Sequence, residues 1–206
     1  GALRPQLPGE ADIYPFHYHR PDSPDRAYEL FHEAEDGIYL AGGQTLIPTM
    51  KQRLAAPSDV IDLAGVAGMH GIDTADGVVS VGALTRHAEV AGSATVRGVL
   101  PVLSSLAGRI GDGQVRNLGT LGGSVANSDP AADYPAAVVA LGATIETHCR
   151  RIAADEYFVD LFETALKPRE VVMRVHFPVP DRSAFRKFAH PASGYAGVVL
   201  LVADFA

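Results

Sequence analysis

The spacing of hydrophobic and polar positions changes several times along the chain, and each change predicts an element. Phe16-His17-Tyr18-His19 alternates and reads as a short strand. Ser23-Pro24-Asp25 opens a helix. Ser is a good N-cap, Pro suits the first turn, and Ala27, Leu30, Phe31 and Ala34 recur at helical spacing. Gly37 stops it. Ile38 to Ala41 is a strand, Gly42-Gly43 breaks it, Leu46 to Leu54 carries a second helix, and Asp59 to Leu63 is another strand. Strand, helix, strand, helix, strand predicts a small parallel α/β unit.

Gly77 to Gly82 is a strand of a second unit, and helical segments follow through Ile110, one of them from Pro101. Further strands are predicted at Thr144 to His148, Val171 to Phe177, Phe185 to Phe188 and Tyr195 to Ala203. The final apolar strand, in AGVVLLVADFA, has no sequence after it to pair with, and an isolated apolar edge is an aggregation hazard. The expectation is that the natural domain continues past Ala206. Residues 1–12 are polar and rich in Pro and Gly, and read as a disordered tail or an expression remnant outside the fold.

Composition narrows the function classes. The 206 residues are 47% hydrophobic, enough for a real core, and carry a net charge of -7 with no basic cluster. That argues against nucleic acid or an anionic membrane surface as the main partner. The longest apolar run, Ala196 to Ala203, is far short of an integral membrane segment, and no secretory signal is visible. The expected compartment is cytoplasmic. The single cysteine, Cys149, excludes an internal disulfide and any Cys-ligated cluster within the chain. His17 and His19 share a strand face, but no third metal ligand is evident, so no metal site is expected.

One stretch stands apart. GTLGGSVANSDPAADYPA, from Gly119 to Ala136, has only three large apolar side chains, Leu121, Val125 and Tyr134. It reads as a loop between the helix from Pro101 to Ile110 and another from about Tyr134 to Leu141. Its Thr120-Leu121-Gly122-Gly123-Ser124 shares paired glycines with Ala41-Gly42-Gly43-Gln44-Thr45, which joins a strand to a helix. Glycine allows positive φ and close approach of a ligand to backbone. Successive N–H groups can then face one anion, as a diphosphate requires. Thr45 and Ser124 add hydroxyl donors. Either segment alone is compatible with a tight turn, whereas the two together point to a nucleotide. There is no Rossmann fingerprint, Walker P-loop or nucleophile elbow. No Ser/His/Asp set or paired-carboxylate acid–base site stands out, so no catalytic residue is assigned.

The residues carry a family resemblance. LAGGQTLIPTMKQRLAAPSDVIDL (Leu40 to Leu63) resembles the first FAD-binding segment of the medium, flavoprotein subunit of molybdenum hydroxylases, the carbon monoxide dehydrogenase and xanthine dehydrogenase family. QVRNLGTLGGSVANSDPAADYPAAVVALGA (Gln114 to Ala143) resembles the second. RRIAADEYFVDLFETAL (Arg150 to Leu166) and FRKFAHPASGYAGV (Phe185 to Val198) also resemble family segments. The resemblance implies an α+β fold of the vanillyl-alcohol oxidase and p-cresol methylhydroxylase type. Two α/β subdomains, about 13–68 and 69–178, would clasp an extended FAD. Residues 179–206 would begin an incomplete C-terminal domain.

The resemblance also implies site residues. Ala41, Gly42, Gly43, Gln44 and Thr45 would wrap the FAD diphosphate, flanked by Leu40, Leu46 and Ile47. Thr120, Gly122, Gly123 and Ser124 would contact diphosphate and ribityl from the other side, with Asn127 nearby. Asp133 aligns with an acid that holds a cofactor hydroxyl, although it could also cap the helix opened by Tyr134-Pro135. Val172 aligns with an aliphatic residue packed on the cofactor. Lys187 aligns with a lysine near the isoalloxazine, although it could be a solvated strand residue. Tyr195 aligns with a tyrosine that stacks on that ring. Arg116 belongs to the second segment and reads as a structural anchor.

The function so implied is an electron-transfer oxidoreductase subunit. It would take electrons from [2Fe–2S] clusters of a small partner subunit and pass them to an external acceptor. A large partner with a molybdenum–pterin cofactor would hydroxylate the substrate, in a dimer of heterotrimers. The alternatives are a self-contained flavin oxidase or reductase of the same fold, and a non-catalytic domain that has lost its flavin.

Overall fold

The computed structural model describes residues 13–205, so the expected N-terminal tail, residues 1–12, lies outside the described residues. The first part runs β1 (His17–His19), α1 (Pro24–Glu33), β2 (Gly37–Leu40), α2 (Leu46–Lys51) and β3 (Asp59–Asp62). The strands form a parallel sheet in the order β1-β3-β2, the small α/β unit that the sequence pattern predicts. Ser23 caps α1 by accepting from the Arg26 N–H, with Pro24 in the first turn. Ala27 is fully buried and Phe31 packs its ring 4.7 Å from Tyr39. The second helix stops at Lys51, short of Leu54. Met50 is its last buried side chain, Leu54 is 74% exposed, and Arg53 takes a left-handed φ of 58°. Nothing apolar holds a further turn.

The second part opens with the hairpin β4 (Ile72–Ala75) and β5 (Val78–Gly82). Asp76 and Gly77 join the strands with φ of 50° and 73°, the left-handed pair that a two-residue turn needs. Six short helices follow: α3 (His87–Gly92), α4 (Ala94–Val99), α5 (Pro101–Ala107), α6 (Gly113–Leu118), α7 (Leu121–Asn127) and α8 (Tyr134–Ala140). Then come β6 (Thr144–Thr147), β7 (Arg151–Ala153), α9 (Ala154–Tyr157), β8 (Phe158–Asp160), β9 (Glu163–Thr164) and β10 (Val172–Pro178). The sheet β4-β5-β10-β6-β7 is antiparallel throughout. Val79, Val81, Ile145, Ile152, Val175 and Phe177 line its inner face and are buried under the helices. Burying each such side chain contributes about 1.5–3 kcal/mol.

The chain closes with β11 (Arg182–Ala189) and β12 (Ala196–Asp204), an antiparallel hairpin. The last apolar strand therefore has a partner on one side, β11, while its other edge is unpaired among the described residues. Phe185 and Leu201 bury the hairpin's inner side, which packs on α5 and α8. No helix among the described residues is long and apolar enough to cross a membrane.

Candidate functional site

The two glycine segments meet directly. A Cβ on Gly42 would lie 2.1 Å from the Leu118 carbonyl oxygen and 2.8 Å from Gly119 Cα. Only a residue without a side chain allows that approach. A Cβ on Gly123 would lie 3.6 Å from Ala41 Cβ and 2.9 Å from Thr120 Oγ1, so the segments also face each other there. Gly122 is pressed on Ala83, where a Cβ would come within 2.4 Å of the Ala83 Cβ. Among Gly42, Gly43, Gly119, Gly122 and Gly123 only Gly43 has positive φ, at +69°.

The second segment is not the loop that its composition predicts. Thr120 caps α7 by accepting from the Gly123 N–H at 3.2 Å. Leu121 and Val125, one turn apart and fully buried, anchor the helix in the core. Residues 83–87 run alongside: Gly122 donates to the Ala83 carbonyl, Leu121 to that of Thr85, and His87 to that of Gly119. The N–H groups of Leu121, Gly122 and Gly123 are thus taken by the protein, against the expectation that they face an anion. This segment presents bare backbone surface and the half-buried hydroxyl of Ser124. In the first segment, by contrast, the N–H groups of Gly43, Gln44 and Thr45 have no backbone partner among the described residues. Leu40 and Leu46 beside them are half-buried, and Ile47 is exposed.

Asp133 and Lys187 come together from sequence positions far apart. Lys187 Nζ donates to Asp133 Oδ2 at 2.7 Å and to the Arg109 carbonyl at 3.0 Å. Arg109 Nη2 returns a hydrogen bond to the Lys187 carbonyl at 3.1 Å. Both members of the ion pair are buried. Asp133 makes no side-chain cap to α8, and its own backbone is already helical. The capping reading is therefore corrected, as is the reading of Lys187 as a solvated strand residue. Burial pushes the Asp133 carboxyl above its ordinary range, against the pull of Lys187. Asp133 Oδ1 is buried without a hydrogen-bond partner in the protein.

The remaining expected residues are more dispersed. Asn127 is half-buried in the last turn of α7. Val172 is buried at the start of β10, opposite Thr147. Tyr195 is 57% exposed in the turn between β11 and β12. Arg116 is an anchor: its Nη1 donates to the carbonyls of Ile110 and Gly111, both at 2.9 Å.

Two features escaped sequence reading. His87 is buried under Gly119, and nothing but its place at the start of α3 marks it. Ser80, His176 and Glu146 line up across three strands, with Ser80 Oγ to His176 Nδ1 at 2.8 Å and His176 Nε2 to Glu146 Oε2 at 2.9 Å. Hydrogen bonds from His176 and Arg151 outweigh the upward push of burial and hold the Glu146 carboxyl low. The line lies on the face of the sheet opposite Val79 and Val81, where β5 is laddered to both neighbours. Its hydrogen bonds tie three neighbouring strands together as a cross-strand network.

A family model described as the FAD binding domain in molybdopterin dehydrogenase matches residues 14–180. The carbon monoxide dehydrogenase medium chain of Afipia carboxidovorans is 36% identical over 189 residues, covering 88% of this chain and 66% of that protein. The glyceraldehyde dehydrogenase medium chain of Sulfolobus acidocaldarius is 34% identical, covering 89% of this chain and 68% of that one. The solved structure of quinoline 2-oxidoreductase from Pseudomonas putida 86 superposes with a TM-score of 0.87 at 32% identity, covering 91% of this chain and 68% of that one. This chain thus spans about two thirds of the length of the relatives it matches.

Proposed function

The chain belongs to the family of FAD-binding domains in molybdopterin dehydrogenases, and on that premise we propose that it is the electron-transfer flavoprotein component of a molybdenum hydroxylase. The observation that carries the reading is the meeting of two side-chain-free segments, at Gly42 and Gly119, beside free backbone donors. The buried Asp133 with one unpartnered oxygen adds an acceptor of the kind a cofactor hydroxyl would satisfy. The donor set fits FAD.

In this reading the N–H groups of Gly43, Gln44 and Thr45 hold the diphosphate oxygens, and Leu40, Ala41, Gly42, Leu46 and Ile47 shape the walls. Thr120, Gly122, Gly123 and Ser124 form the opposite surface, with Asn127 beyond it. Asp133 Oδ1 accepts from a cofactor hydroxyl while Lys187 balances its charge. Val172 packs on the cofactor and Tyr195 covers its ring. The two segments exclude water from the diphosphate and so strengthen each hydrogen bond to it. Bound FAD supplies reversible redox chemistry, and the protein supplies binding, orientation and electrostatics.

The proposed partners are a small subunit with [2Fe–2S] clusters, which supplies the electrons, and a large molybdenum–pterin subunit, in a dimer of heterotrimers. The proposed compartment is the cytoplasm. Residues 13–178 would be the FAD-binding domain, with subdomains about 13–68 and 69–178, and 179–206 the start of a C-terminal domain. Titration of the flavin-free chain with FAD, followed by flavin fluorescence, tests the core of the proposal. Saturation at one FAD per chain is expected. A chain that binds none overturns it. Co-purification of the two partner subunits with the tagged chain from its native host tests the assembly.

A further inference from the structure

A column of contacts runs from the first glycine segment to the buried acid, and a histidine outside the proposed cofactor site stands at its centre. Gly42 lies on the Leu118–Gly119 backbone. Gly119 in turn lies on His87: a Cβ there would sit 2.7 Å from His87 Nε2 and 2.9 Å from its Cδ2. The His87 main-chain N–H donates to the Gly119 carbonyl at 3.0 Å. The imidazole faces the Tyr134 ring at 5.4 Å between centroids. Tyr134 directly follows Asp133 and is fully buried, and His87 is only 4% exposed. His87 Nδ1 and the Tyr134 hydroxyl have no hydrogen-bond partner in the protein. Burial, and then the nearby charge of Arg116, hold the imidazole neutral down to about pH 4. An uncharged ring in a closed space acts through its shape.

We propose that His87 is a positioning residue of the cofactor cradle, whose ring sets the height of the Gly119–Thr120 backbone and thereby the fit of the second glycine segment against Ala41 and Gly42. This inference rests on the FAD-binding reading above. His87 reaches the cradle only through Gly119. A Cβ at Gly119 would meet the ring first and then the Val115 carbonyl oxygen at 3.0 Å, and a Cβ at Gly42 would meet the Leu118–Gly119 backbone that the ring holds in place. Removing the ring lets the turn sink, while adding a methyl at Gly119 lifts it. Both changes open the same junction from opposite directions.

That opposition gives the test. His87→Ala, Gly119→Ala and the double variant are purified free of flavin and titrated with FAD by fluorescence. Thermal unfolding of the flavin-free proteins is the control for folding. Each single variant should bind FAD about tenfold more weakly or worse, and the double variant should recover at least half of the loss on a logarithmic scale, because the new methyl enters the space the imidazole leaves. Simple loss of stability does not produce that recovery in affinity. Single variants within about twofold of wild type overturn the inference, as do losses that multiply in the double variant. If an alanine variant does not fold, His87→Gln decides: weaker FAD binding at unchanged melting temperature supports positioning, and unchanged binding overturns it. A wild-type chain that binds no FAD removes the FAD reading and this inference together. Wild-type binding with unmoved variants removes this inference alone.

Discussion

Lys187 Nζ lies 2.7 Å from Asp133 Oδ2, and both side chains are buried while Asp133 Oδ1 is left unpartnered. The ion pair fixes one oxygen and leaves the other buried without a partner, where the proposed reading puts a cofactor hydroxyl. Breaking a buried pair from one side strands the other charge, at a cost of about 3–5 kcal/mol. Asp133→Leu should therefore destabilise the chain on that scale in urea unfolding. Replacing both residues, Asp133→Leu with Lys187→Met, should restore most of the stability, since apolar substitutes of similar volume are often neutral. The double variant should still bind FAD poorly, because the free acceptor is gone. Wild-type FAD affinity in the double variant would remove Asp133 from the site.

Glycine substitutions separate two reasons for glycine. At Gly42 a Cβ meets a backbone carbonyl at 2.1 Å, which no rotamer change relieves. Gly42→Ala should part the two segments, cost about 1–3 kcal/mol as overpacking does, and abolish tight FAD binding. At Gly113 nothing lies within 4 Å, and Gly113→Ala should stay within about 0.5 kcal/mol of wild type. Chemical unfolding and FAD titration of both variants check the contrast. Unimpaired Gly42→Ala would show that the segments do not meet as described.

Much of this was legible in the sequence, and the gaps have physical causes. The parallel unit of β1, β2 and β3 announced itself through alternation at β1, short apolar stretches at β2 and β3, and the capped helix and glycines between them. The helix α7 did not. Two glycines and a serine lower its propensity, and only Leu121 and Val125, buried by tertiary packing, outweigh that. The paired glycines marked two segments that meet, but for a partly different reason than positive φ: close packing at Gly42 and Gly122, positive φ only at Gly43. Asp133 and Lys187 were each visible, while their pairing depends on how the β11–β12 hairpin docks against α5 and α8, which no local pattern encodes. His87 carries no local signal, since its role exists only through its contact with Gly119.

Acid stability should fall in two windows. The His87 imidazole titrates at about 4 in the folded chain against an ordinary 6.5. Its folded value is depressed, so its contribution is complete above pH 6.5 and is lost as pH falls through about 4. Glu170 accepts from Thr147 Oγ1, from Arg150 Nε and Nη2 and from the Lys167 N–H, at 2.7 to 2.9 Å. Burial alone would raise its carboxyl, but these donors outweigh it and bring it to about 2 from 4.5. Its contribution is complete above pH 4.5 and is lost toward pH 2. Each shift corresponds to stability on the order of 3 kcal/mol. Melting temperature against pH should therefore flatten between 6.5 and 4 in His87→Phe, and between 4.5 and 2 in Glu170→Gln. Parallel profiles for all three proteins would sink the assignment.

Tyr195 tests the far end of the cofactor reading. Its backbone is fixed: its carbonyl accepts from the His190 N–H at 2.7 Å, and its N–H donates to Ser193 Oγ at 3.3 Å. Gly194 before it takes the left-handed φ of 70° that turns the chain. The ring itself is 57% exposed, and so contributes little to the fold. Tyr195→Ala should leave urea stability within about 0.5 kcal/mol of wild type. If the ring covers the flavin, its stacking is worth about 1 kcal/mol beyond burial. FAD affinity should then fall roughly fivefold, by the same conversion of free energy to binding constant. Access to the flavin should change more than its retention. Stopped-flow reoxidation of the reduced, FAD-loaded chain by oxygen and by a quinone, wild type against Tyr195→Ala, reads that access directly. Faster reoxidation of the variant with a shifted flavin absorbance band is the expected result. Identical rates and identical spectra would place Tyr195 away from the flavin and leave it an ordinary turn residue of the hairpin.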